Sequence, residues 1–184
     1  FTELDPGWVA AALTVSFVQV FLSAWRWRFT ANRLGLLISL RYAVFEYYLA
    51  TFLNQVLPGG IVGDVSRAWR HAKGTEKRAA LQAVAFERLS GLVVMSAAAS
   101  FSAVVLLREL SRGIQEISLG IVLLLSVSVG LSMRRAQENR ETSQLFSDLR
   151  RALIDGIALP VQLITSATVV GTYLLVFVMA ARAV

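Results

Sequence analysis

The sequence predicts an all-α fold, a polytopic transmembrane helical bundle carrying one re-entrant helical hairpin. Three observations lead there. Of 184 residues, 56% are hydrophobic and only 16% charged, with a mean hydropathy of +0.62; a water-solvated domain sits nearer about 45–50% apolar and about 25% charged. Four apolar runs approach the roughly 20 residues a spanning helix needs, while a fifth is short and breaks on a Pro-Gly-Gly turn. The cations, finally, gather between these runs on what the pattern makes a single side of the membrane.

The first span is 7–25, Gly7–Trp25, with Gln19 as its one strongly polar member. The second is 89–107, Leu89–Leu107, read as the far part of a helix that begins near Thr75. The third, 118–133, is short at 16 residues but holds no charge. The fourth, 153–181, is 29 residues long, with Asp155 near its start, Arg151 as the partner of Asp155, and Pro160 as a predicted kink.

Tyr42–Leu57 differs from these. It is 16 residues long, carries Glu46, and runs into Leu57-Pro58-Gly59-Gly60. Arg26, Arg28, Arg33 and Arg41 precede it, and Arg67, Arg70, Lys73, Lys77 and Arg78 follow it. Two basic flanks belong on one side, the cytoplasmic one. The segment 42–63 therefore dips into the membrane and returns. This topology places 14 of the 18 cations inside, with Arg108, Arg112 and Arg182 outside and Arg88 at membrane depth. Non-helical backbone at such depth is tolerated where it is buried in protein or lines a wet cavity, so the turn reads as the lining of a site. Trp25, Trp27, Tyr42, Tyr47 and Tyr48 read as an interfacial aromatic belt. Ser90, Gly91, Ala97, Ala98 and Gly130 read as helix-packing positions.

Composition narrows the chemistry. The absence of cysteine excludes disulfides and thiolate chemistry, and a lone histidine, His71, leaves little for a metal site; no cofactor is expected. The net charge of +6 is a cytoplasmic face and not a nucleic-acid footprint. The chain starts at Phe1 without a signal peptide and is expected to be an interior piece, a single transmembrane domain over 1–184 truncated at both ends.

The candidate site lies at Asn54–His71. A helix is predicted over Val65–Lys73 with Asp64 as its N-cap and Gly74 as its stop. Gly59, Gly60 and Gly63, after Pro58, would leave amides free at a positive helix end, and Arg67 and Arg70 follow a turn later. Such a set is suited to a phosphate. The plainer reading is that Asp64 caps, Pro-Gly-Gly turns, and the arginines anchor to anionic headgroups. The Gly-x-x-x-x-Gly-Lys-Ser/Thr nucleotide loop is absent. Glu87 and Arg88 point about 100° apart on their helix, so each needs an outside partner at membrane depth; Arg67 for Glu87 and Asp64 for Arg88 are the economical pairs. Glu46, Ala50 and Asn54 share one stripe, from which Glu46 could meet a headgroup ammonium or sugar.

These residues resemble a known family. Trp25-Arg26-Trp27-Arg28, Leu53–Gly60, Gly63-Asp64-Val65-Ser66-Arg67-Ala68 and Glu87-Arg88-Leu89-Ser90-Gly91-Leu92 look like the lysylphosphatidylglycerol synthase transmembrane (flippase-like) family of bacterial and archaeal membrane proteins. The resemblance implies a multi-pass cell (inner) membrane protein that moves a lipid between leaflets. It implies further spans beyond both ends and no aminoacyl transfer, since nothing looks like the soluble synthase domain. The cargo stays open: an anionic or modified phospholipid, a polyprenyl-linked lipid or a hopanoid, with a homo-oligomer or a synthase as partner. With that resemblance, the expected function is a non-enzymatic lipid translocase. Two other classes compete: a membrane enzyme using Glu46, Asp64 and Glu87 as acid/base groups, and a non-catalytic assembly subunit.

Overall fold

The computed structural model describes residues 4–71, 77–107 and 140–183. They form six helices: α1 (Pro6–Arg33), α2 (Leu40–Val56), α3 (Val62–His71), α4 (Lys77–Leu107), α5 (Arg140–Leu153) and α6 (Ala158–Ala183). The predicted span 118–133 and the residues Lys73, Gly74, Thr75 and Gly130 lie outside the described residues.

Local chemistry sets the boundaries. Asp5 accepts the Gly7 amide at 2.7 Å while Pro6 opens α1 at a position where no amide is needed. The helix ends where Gly35 takes φ +88° and Leu36 N–H returns to the Ala31 carbonyl at 3.0 Å. Ser39 caps α2 through the Tyr42 amide at 3.3 Å. α2 stops at Leu57, because the residue before Pro58 is pushed out of the helical region. Gly59 at φ +98° and Gly60 at φ +65° then reverse the chain into α3.

Among the described residues, three helices are long and apolar enough to cross a membrane: α1, α4 over Lys77–Ser102, and α6, of 28, 26 and 26 residues. At 1.5 Å per residue even 26 residues run to about 39 Å, beyond the roughly 30 Å hydrocarbon core. α1 and α6 form the most extensive helix pair, antiparallel and tied along their length. Asp5 N–H meets the Ala183 carbonyl at 3.0 Å at one end, Thr172 donates to Gln19 and Gln162 to Thr30 midway, and Arg33 bonds the Asp155 carbonyl at the other end. α2 and α3 fold back on each other as a helical hairpin, and α3 also packs on α4.

Several expectations change in detail. The last long helix begins at Ala158, since Gly156 at φ +60° makes a turn that separates it from α5. Pro160 therefore falls in the first turn, where it breaks no hydrogen bond, and no kink is needed. Asp155 pairs with Arg150 at 3.0 Å, not with Arg151, whose carbonyl is taken by Arg33. α3 begins at Val62, so Asp64 lies inside its first turn and is not its N-cap.

Polarity is inverted relative to a water-soluble protein. The largest fully buried side chains include Trp27, Arg67 and Glu87, while Leu13, Phe17, Phe45, Phe52, Leu174 and Phe177 lie on the outside. Apolar surface on the outside with charge within is what a lipid solvent imposes. The hairpin shares the pattern. Ile61, just before α3, and Val65 and Trp69 on it face outward at helical spacing, and Asp64, Arg67 and Ala68 face inward.

Candidate functional site

The stripe Glu46–Ala50–Asn54 on α2 forms the seam of the hairpin and does not face a cavity. Glu46, 3% exposed, is gripped by Arg70 through both Nε and Nη2, the latter at 2.6 Å. One turn on, Ala50 meets Gly63. A Cβ at Gly63 would collide with the Ala50 carbonyl, 2.7 Å from its carbon. The glycine is there because two helix backbones touch. A further turn on, Asn54 accepts the Gly63 amide at 2.7 Å and donates to Asp64 at 3.1 Å. The Gly63 amide is thus already used. Pro58, Gly59 and Gly60 sit in the exposed turn beyond, apart from the charged groups.

The hairpin's inner face delivers Asp64 and Arg67, one turn apart, to the partners that spacing predicted. Arg88 Nη2 meets Asp64 at 2.7 Å, and Arg67 Nη2 reaches Asp64 at 3.0 Å and Glu87 at 3.5 Å. Glu87 then bonds Arg26 of α1 in a short contact, and Tyr47 donates to the same oxygen at 3.3 Å. The result is one alternating chain, Arg26–Glu87–Arg67–Asp64–Arg88, that stitches α1, α3 and α4. Adjacent residues on α4 contribute to it twice, and Arg88 Nε also comes within 4.0 Å of Glu87, so the two neighbours, expected not to pair, close the chain on itself.

Arg67 is the centre of this chain and is fully buried. Its guanidinium lies between the rings of Trp27 and Tyr47, 4.4 Å from each centroid. Cation–π contact is worth about 2 kcal/mol or more when both groups are desolvated. This geometry corrects the belt assignment: Trp27 and Tyr47 are 1% and 6% exposed and clamp a charge inside the bundle. Arg26, placed above in the cytoplasmic flank, is likewise interior at 4% exposure, and Ser166 of α6 accepts its Nη1 at 2.8 Å.

Sequence reasoning missed Arg26, Ser166 and Tyr47 as members of this cluster. A signal was there. Gln19, Ser23, Arg26 and Thr30 repeat at four, three and four residues along α1, and on α6 Gln162 and Ser166 stand one turn apart with Thr172 six residues further on. Two polar stripes inside two apolar helices are made to face each other. Of the small residues, Gly91 faces the Arg26 guanidinium, which a Cβ at that position would meet at 3.5 Å, whereas Ala97 and Ala98 are exposed.

Beside Arg26 and Arg88 a groove of about 220 Å³ opens between α1, α4 and α6, with Tyr47 of α2 at its edge. Ser23 and Ser166 line its charged end, and Leu92, Met95, Val170 and Tyr173 line the rest.

A family model of the lysylphosphatidylglycerol synthase TM region matches residues 1–184. The chain belongs to this family. No curated protein and no solved structure matches it. As an integral membrane protein of the family, the chain has its charged cluster among helices of spanning length, so the cluster is a polar interior within the bundle and not a surface feature.

Proposed function

We propose that this family member is a lipid translocase, moving a phospholipid or lipid-linked headgroup between the leaflets of the cell (inner) membrane without chemical change. The observation that carries the reading is the alternating chain of five buried or half-buried charges, opening on a groove with an apolar wall. Charge at membrane depth is costly and marks a pathway for polar cargo. A headgroup crossing there would exchange water for guanidinium and hydroxyl groups while its acyl chains stay in lipid.

The hairpin is read as re-entrant, with both its flanks, the Arg33 end of α1, the Lys77 end of α4 and the Ala158 end of α6 cytoplasmic. Its outward apolar stripe at Ile61, Val65 and Trp69 supports immersion independently of the charge distribution. Membrane lipids are the proposed partners. The carboxylates an enzyme would need, Glu46, Asp64 and Glu87, are each held by an arginine, which favours holding cargo over moving protons.

The test is a flipping assay. Full-length protein reconstituted with a fluorescent phospholipid should expose that lipid to a membrane-impermeant quencher faster than empty vesicles do. Arg67→Ala and Asp64→Ala should slow the process at unchanged reconstitution yield. Conversion of the lipid to a new species, seen by mass spectrometry, would replace this reading with the enzyme.

A further inference from the structure

The groove says which kind of lipid. Three guanidiniums, Arg26, Arg67 and Arg88, face two carboxylates, Asp64 and Glu87, which leaves the chain of charges at +1 among the described residues. The surplus is on the groove side: Arg26 and Arg88 both line it, and no carboxylate among the described residues does. The Arg88 guanidinium is part-exposed at this end, beside Arg26 and the Ser23 and Ser166 hydroxyls, and a guanidinium pairs best with an anion. Glu46, the carboxylate that could have met an ammonium, is occupied by Arg70 on the hairpin seam.

The groove also has a direction. By helical rise, Arg26 lies about 10 Å from the Arg33 end of α1, Arg88 about 17 Å from the Lys77 end of α4 and Ser166 about 12 Å from the Ala158 end of α6, the end that follows the basic α5, and Leu92, Tyr173 and Met95 lie about 22–27 Å from those same ends. Helices of about 39 Å or more overhang a 30 Å core by about 5 Å at each end. The charged end therefore sits just below the basic interface, and the apolar end reaches the mid-plane. A lipid of the basic-side leaflet has the same order, phosphate first and chain second.

We propose that this groove binds a singly anionic phospholipid in the orientation of the cytoplasmic leaflet, its phosphate held by Arg26 and Arg88 and one acyl chain laid along Leu92 and Met95. One phosphate brings the local charge to zero; a headgroup with an added ammonium would restore the surplus and find no free carboxylate. The groove takes the phosphate and the first part of the chain, and the remainder of the lipid lies in the bilayer. This assignment rests on the translocase reading for its purpose but not for its measurement.

Native mass spectrometry of the full-length protein against phosphatidylglycerol, phosphatidylcholine and the cationic ethylphosphatidylcholine, all with the same chains, tests it. Phosphatidylglycerol should bind at least tenfold more tightly than the other two. Arg88→Gln should reduce that preference to threefold or less. Met95→Trp, two turns along α4 from Arg88, obstructs the apolar end and should weaken phosphatidylglycerol binding at least fivefold. Equal binding of the three lipids overturns the proposal, as does an unaffected Met95→Trp. Competition by millimolar inorganic phosphate as effective as by lipid would make the site a free-anion site and overturn it too. Tight, selective binding without flipping would sink the translocase and leave the groove assignment intact; flipping without a headgroup preference would do the reverse.

Discussion

Glu87→Gln is the most informative single change in the bundle. Glu87 is fully buried and lies between Arg26 and Arg67, with Tyr47 donating to it. Glutamine preserves shape and removes the charge, so the five-membered chain goes from +1 to +2 and two buried guanidiniums lose their shared anion. Removing one partner of a buried pair costs about 3–5 kcal/mol, because the other is left uncompensated. With both side chains at 5% exposure or less, solvent screening does not reduce that figure. Arg26→Met should be milder, since it takes the cluster from +1 to 0 and Glu87 keeps Arg67 and Tyr47. The double variant should then recover part of the loss, with a coupling of about 1–3 kcal/mol between the sites. Reversible unfolding of the full-length protein in mixed micelles, run as a double-mutant cycle, reads all three values. If Glu87→Gln costs under 1 kcal/mol, or Arg26→Met costs more than it does, the charge accounting is wrong.

Three further outcomes follow from the hairpin. Gly63→Ala should lower stability by about 1–3 kcal/mol, measured by thermal aggregation, because the new methyl meets the backbone of Ala50 and no side-chain change at position 50 can relieve it. Glu46→Gln should cost about 1 kcal/mol or less, as the Arg70 side chain is one-third exposed and can turn to water or headgroups; a loss above 3 kcal/mol in the same unfolding assay would mean the pair is more enclosed than it looks. Because the chain has no cysteine, Leu37→Cys and Lys77→Cys give unique labels on the two flanks of the hairpin. Both should react with an impermeant maleimide from the cytoplasmic side only, and opposite labelling would refute the re-entrant path.

What could be read from the sequence depended on range. Helix ends at Asp5, Ser39, Pro58 and Gly156 come from local chemistry, and the composition alone called for a bundle in lipid. The partners of Glu87 and Arg88 on α3 were reachable too, because a charge at depth must be matched and only the nearby Asp64 and Arg67 were at hand. Arg26 was not reached. Trp25-Arg26-Trp27-Arg28 at the end of a span looks like an interfacial anchor, and Arg28 does turn back to the Ile38 carbonyl at 2.8 Å. Which of two neighbouring arginines turns inward depends on the azimuth of α1 against α6, set by Gln19, Thr30 and Gln162 well away along the chain. The glycines misled for a related reason. A glycine-rich turn before a helix is what an anion loop needs, but Gly63 answers to a helix crossing that no local pattern records.

The same crossing explains why the phosphate site is proposed in the groove and not at the turn. Once Asn54 takes the Gly63 amide and Asp64 lies within the first turn of α3, the start of that helix offers little to an anion. What the hairpin supplies is the other side of the problem, one carboxylate and one arginine fed into a row of charges between α3 and α4. Asp64 holds Arg88 at the groove while Arg67, clamped by Trp27 and Tyr47, fixes Glu87 and through it Arg26. Any outward movement of α3 would withdraw Asp64 and Arg67 together and loosen both groove arginines at once. A hairpin joined to the bundle through charges, with apolar residues facing lipid, can shift without exposing its backbone, and its shift is felt where the cargo phosphate is proposed to bind.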